Sequence, residues 1–135
     1  MIRIAAVSED GVTISQHFGR APIYVVVSVE GGRVLSRETR GKLGHAQFAA
    51  EAGEGPHEAD PRGHGFDAVA QDRHARMVTA IADCQVLLAR GMGAGAFASM
   101  QQAGIEPIVT DIEDIDAAVE AYLAGTLRNL VEKLH

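Results

Sequence analysis

Tryptophan is absent from this chain, aromatics make up only 4% of it, and there is a single cysteine. Without large rings, the core has to be built from Ala, Val, Ile and Leu. One cysteine excludes an internal disulfide framework and fits a reducing compartment. Basic residues are outnumbered: 12 Lys and Arg face 18 Asp and Glu, a formal charge of −6. That balance argues against nucleic-acid binding, which calls for a basic face, and gives no reason for attachment to anionic lipid. No apolar run approaches membrane-spanning length, and no signal-peptide core follows Arg3. A cytoplasmic protein is expected. No internal repeat is evident.

What is present is ample apolar material, 47% of 135 residues, enough for one domain. Ile2–Val7 is a nearly continuous apolar run, as in a strand covered on both faces. Ile23–Val29 is rich in β-branched residues, and Gly31-Gly32 predicts a two-residue hairpin turn into Arg33–Thr39. Residues 40 to about 71 then hold six glycines, two prolines and three histidines with no apolar periodicity. A loop of that length is either functional or disordered. Regular structure resumes with Asp72 as an N-cap and Met77, Val78 and Ile81 on one helical face. Cys84–Ala89 reads as a buried strand, Gly91–Gly95 leads into a helix through Ala103, and Glu106–Val109 is a short strand. Asp114 caps a helix whose Ile115, Ala118, Val119, Tyr122 and Leu123 share a stripe, with Gly125 ending it. Thr126 is placed to cap a short last helix. The order βββ-α-β-α-β-α predicts an α/β fold: a mixed five-stranded sheet with helices packed on it.

If strands one and four are adjacent and parallel, the loops after both open at one sheet edge, where open α/β sheets bind ligands. The first loop carries Ser15-Gln16-His17-Phe18-Gly19-Arg20-Ala21-Pro22. His17 offers a neutral nitrogen to a metal, and Arg20 can hold an anion. The second loop carries Arg90, Gly91, Gly93 and Gly95 and opens a helix whose amides favour an anion. It lacks the Lys-Ser/Thr of a phosphate loop, so its glycines also fit a role in close helix–strand packing. His45, His57, His64 and His74 could gather near His17, although the spacing of the first three fits a solvated loop as well as a metal site, and His74 on the first turn of a helix fits surface decoration. Cys84 begins strand four, on the order of 20 Å from the glycine turn, and reads as a small buried hydrophobe. The acids Asp111, Glu113, Asp114 and Asp116 read as compensation of a helix dipole. No catalytic constellation can be assembled.

The Ser15–Ala21 segment resembles the S-x-H-F-G-R-A signature of the dinitrogenase iron–molybdenum cofactor biosynthesis family, which includes NifX, NafY and the tail domain of NifB. Ile81–Gly93 and Ala103–Pro107 are further matching blocks, and the likeness spans about residues 1–125, leaving 126–135 as a helical extension. The resemblance implies a ribonuclease-H-like motif and a non-enzymatic role: binding, carrying or scaffolding an iron–molybdenum cofactor or a related iron–sulfur cluster in nitrogen-fixation-type assembly. It implies His17 as the ligand, within a cofactor-binding set of His17, Phe18, Gly19, Arg20, Arg90, Gly91, Gly93 and Gly95. Such cofactors are anionic, so Arg20, Arg90 and the helix dipole at Gly93–Gly95 would complement them. His45, His64 and His74 join His17 as metal-ligating candidates. Cofactor-assembly or dinitrogenase proteins are the implied partners, and the extension could cover a sheet edge or form a homodimer. The lone cysteine leaves no radical-SAM motif, so likeness to NifB is confined to its tail. Two other readings stay open: a divalent-metal module built on the histidine-rich loop, and a regulatory protein-interaction domain without metal.

Overall fold

A computed structural model of the chain describes residues 1–42 and 75–134. Asp72, the loop histidines His45, His57 and His64, and His74, expected on the first turn of the following helix, lie outside the described residues, as does His135.

The first apolar run becomes β1 (Ile2–Ser8), and the β-branched run becomes β2 (Ile23–Glu30). Gly31 and Gly32 follow with φ of 62° and 78°. Two consecutive left-handed residues make the tight turn whose twist suits a hairpin, and glycine adopts them without a Cβ clash. β3 (Arg33–Gly41) then returns antiparallel to β2. Helix α1 is described over 75–80. β4 (Val86–Ala89), α2 (Ala94–Gln102), β5 (Glu106–Val109) and α3 (Ile115–Ala124) complete the expected order.

The five strands form one mixed sheet in the order β3-β2-β1-β4-β5. β1 pairs antiparallel with β2 and parallel with β4, while β5 pairs parallel with β4. Ala5 stands opposite Val26 on one side and Leu87 on the other, so β1 is the centre of the sheet.

Alternation along the central strands divides the core in two. Ala5, Val7, Val26 and Leu87 face Met77, Ile81, Ala96 and Met100, the buried residues of α1, of the turn after it and of α2. Ile4, Ala6, Val25, Val27 and Leu88 face Ile115, Ala118 and Val119 of α3. The sheet is thus covered on both faces, as the unbroken apolar strands require. Each buried Leu or Ile contributes on the order of 1.5–3 kcal/mol.

Two elements differ from the sequence expectation. Cys84 precedes β4, in the turn after α1, where its amide donates to the Ile81 carbonyl at 2.9 Å. The expected last helix is reduced to a 3-10 turn, Val131–Lys133. The reason lies on the outer edge of β5. Asn129 Oδ1 accepts from the Val109 amide at 3.0 Å, and Asn129 Nδ2 donates to the Pro107 carbonyl at 2.9 Å. The Leu130 amide donates to the Val109 carbonyl at 2.8 Å. Edge groups of a sheet seek partners, and supplying them holds 126–130 out of a helix.

Candidate functional site

β1 and β4 run parallel side by side, so the chain leaves both at the same sheet edge. The segment after β1 is first braced by Asp10. Its Oδ1 accepts from the Val12 and Thr13 amides at 2.9 and 2.7 Å and from the Ser8 hydroxyl at 3.3 Å. Backbone amides of Thr13 and Val12 favour the ionised carboxylate and pull its pKa down to about 2. The Ser15 amide donates to the Val7 carbonyl at 2.8 Å, which seats the signature loop on the end of β1.

Ser15 organises the next turn. Its hydroxyl is buried, donates to Glu9 Oε2 at 3.0 Å and accepts from the His17 amide at 3.0 Å. The His17 carbonyl accepts from the amides of Arg20 and Ala21, both at 3.0 Å, closing the turn. Phe18 drops its ring into the core beneath it, 3% exposed. Polar neighbours with one large apolar ring between them anchor the loop while leaving His17 and Arg20 exposed.

The loop is clamped to the turn after β4. The Arg90 amide donates to the Ser15 carbonyl at 3.0 Å, and the Phe18 amide donates to the Gly91 carbonyl at 3.1 Å. Arg90 Nε donates to the Ile14 carbonyl at 2.7 Å, with Glu113 3.8 Å from its Nη1. A Cβ built on Gly91 would lie 2.3 Å from the Gln16 carbonyl oxygen, so only glycine permits this approach. The position therefore serves close packing of the two loops.

Between the loops lies an open depression of about 360 Å³ whose walls include Glu9, Ser15, Gln16, His17 and Arg90. The His17 imidazole makes no hydrogen bond among the described residues, so its ring nitrogens are available to a ligand. The wall is mixed in charge: Glu9 and Asp10 line it together with Arg90.

Of the sequence-predicted set, His17 and Arg90 meet at this depression, Phe18 lies beneath its loop, and Gly91 joins the two loops. Gly19 and Arg20 are exposed on the turn, outside the walls. Gly93 is the N-cap of α2 and Gly95 lies in its first turn, where its carbonyl accepts from Ser99; neither lines the depression. Cys84 sits at the opposite end of β4, buried, with its thiol pushed up to about 12 mainly by burial and then by Asp83.

Two contributors, Glu9 and Lys42, escaped the sequence reading, and Ser15 was legible there only as part of the signature. Glu9 and the Ser15 hydroxyl pair across six positions, a spacing with no motif behind it. Lys42 stood among loop residues, yet it is 2% exposed and donates to the carbonyls of Phe18 and Ala21.

No group of three or more metal-ligating side chains occurs among the described residues. A mononuclear ion, which needs three or four protein donors, does not fit this donor set. A preassembled cluster brings most of its own ligands, and the described residues that could hold one here are His17 and Arg90.

Fold and site together define a mixed-sheet α/β domain that presents a free imidazole beside a held guanidinium at the carboxyl edge of its parallel strands. The chain belongs to the dinitrogenase iron–molybdenum cofactor family, whose pattern matches residues 1–125. Solved structures agree on the fold. The apo orange protein of Desulfovibrio gigas is 24% identical with a TM-score of 0.65, covering 96% of this chain and 92% of that one. A candidate NifB protein from Thermotoga is 19% identical with a TM-score of 0.59, covering 96% and 94%. A candidate dinitrogenase from Methanocaldococcus jannaschii is 11% identical with a TM-score of 0.60, also covering 96% and 94%. No curated protein matches the chain. The family's name associates it with the iron–molybdenum cofactor. No helix among the described residues is long and apolar enough to cross a membrane.

Proposed function

We propose that this chain binds and carries an iron–sulfur-type metal cofactor, the iron–molybdenum cofactor or a precursor of it, as cargo in nitrogenase-type cofactor assembly. The observation that carries this reading is the exposed His17 imidazole, free of hydrogen bonds among the described residues, on a loop clamped to the β4 turn beside Arg90. A hydrogen-bonded loop presenting one imidazole nitrogen can ligate a metal of a preformed cluster, while a guanidinium held by a main-chain carbonyl offers charge to an anionic cargo. Glu9 and Asp10 also line the depression, and their carboxylates oppose indiscriminate anion binding there. The sheet order β3-β2-β1-β4-β5, with β1 antiparallel to β2 and parallel to β4, supports a ribonuclease-H-like motif. Fold likeness implies no nuclease activity. We read the chain as a cytoplasmic carrier without chemistry of its own, handing cargo to cofactor-assembly or dinitrogenase proteins.

Anaerobic titration of the full chain with isolated iron–molybdenum cofactor tests this. Wild type is expected to bind, and His17→Ala to bind at least tenfold more weakly. Equal binding by both overturns the reading.

A further inference from the structure

Lys42 follows the last residue of β3, and its amide donates to the Pro22 carbonyl at 3.0 Å. Its side chain is 2% exposed. The ammonium donates to the Phe18 carbonyl and, at 2.8 Å, to the Ala21 carbonyl, and it stands 4.6 Å from the centroid of the Phe18 ring. Burying an ammonium carries a desolvation cost of several kcal/mol unless its protons are met. Here two of the groups that meet it are main-chain carbonyls of one turn, the turn that carries His17. On the other flank Arg90 Nε holds the Ile14 carbonyl at 2.7 Å. The loop is therefore gripped from both sides by cations bonded to its carbonyls, one grip ahead of His17 and one behind it.

We propose that Lys42 is a positioning residue for His17: by drawing the Phe18 and Ala21 carbonyls inward it fixes the rotation of the turn, and so the direction in which the imidazole meets its cargo. This rests on the reading of His17 as a cargo ligand. A residue that only filled the core would affect global stability alone; a positioning residue changes the turn and the affinity while the sheet stays intact.

The test uses the full chain as Lys42→Met, Lys42→Gln and His17→Ala, with two readouts. The first is amide hydrogen exchange in the free protein at Arg20 and Ala21, compared with Val25 and Val27 of β2. The second is anaerobic titration with isolated iron–molybdenum cofactor. Lys42→Met should speed exchange at Arg20 and Ala21 by roughly tenfold, leave β2 unchanged and weaken binding by about 10- to 100-fold, as loss of a supporting partner does. Lys42→Gln, which keeps donors, should fall between. If Lys42→Met binds like wild type while His17→Ala does not, the positioning role is overturned and the cargo reading stands. If wild type and His17→Ala bind alike, the cargo reading falls, and unchanged exchange at Arg20 and Ala21 would overturn the positioning role as well. Global unfolding of both Lys42 variants would overturn it in favour of a purely structural lysine.

Discussion

Gly91 is where a single side chain decides whether the site exists. The Gln16 carbonyl oxygen occupies the place a Cβ would take, at 2.3 Å, and that oxygen is backbone rather than the end of a flexible side chain. Gly91→Ala must therefore separate the two loops, lengthening the bonds from the Arg90 amide to Ser15 and from the Phe18 amide to Gly91. Overpacking of this kind costs about 1–3 kcal/mol. A urea midpoint that falls accordingly, together with weakened cofactor binding, is the expected result; an unchanged midpoint would mean the loops part freely. Asp10 gives a second expectation at this scale. Its carboxylate is held at about 2 by the Thr13 and Val12 amides against an ordinary 3.8. A group with a depressed folded value stabilises above its unfolded value, and that contribution disappears as pH falls through the folded one. Asp10→Asn should lower stability at pH 6 yet approach wild type near pH 2, read by thermal melts across that range.

At the scale of elements, the outer edge of β5 is closed by Asn129 and Leu130. Asn129→Ala strips partners from the Val109 amide and the Pro107 carbonyl, at a cost on the order of 1–3 kcal/mol. It should also open the β5 edge to strand pairing. Lower urea midpoints and concentration-dependent light scattering would both be seen; a monomer of unchanged stability would contradict the edge-closing role. β3 is tied at its far end through Arg40, which grips both oxygens of Asp83 at 2.7 and 3.0 Å. That pairing holds Asp83 down at about 2, chiefly through the Arg40 hydrogen bonds. Both partners reach solvent, so the pair contributes no more than about 1 kcal/mol.

At the scale of the whole molecule, the strands and their order were legible because apolar runs and the Gly31-Gly32 turn carry period and chirality in a few neighbouring residues. The juxtaposition of His17 with the β4 turn was legible for a topological reason: parallel neighbours end at one edge. What escaped is what depends on distant partners. Lys42 is polar in sequence, yet it is buried where carbonyls of a turn some twenty residues earlier receive its ammonium. Leu127 and Leu130 have helical spacing, but the Leu130 amide pairs with the Val109 carbonyl at the edge of β5 instead of continuing a helix. Cys84 was expected to lie buried and away from the site, and the buried thiol, pushed up to about 12 by loss of solvent, lies at the opposite end of β4 from Arg90. That gives a test of the molecule as a unit. A thiol reagent at pH 8 meets almost no thiolate while Cys84 is buried, and reaches it only when the sheet and α1 separate. Labelling should therefore follow opening of the core, the logarithm of its rate rising in Gly91→Ala and Asn129→Ala in proportion to their lost stability. Saturating cofactor should slow it by the factor 1 + [L]/Kd, because cargo that binds only the folded chain stabilises the whole of it. Fast labelling of the native protein, insensitive to both variants and to cargo, would mean that the far end of β4 opens independently of the site.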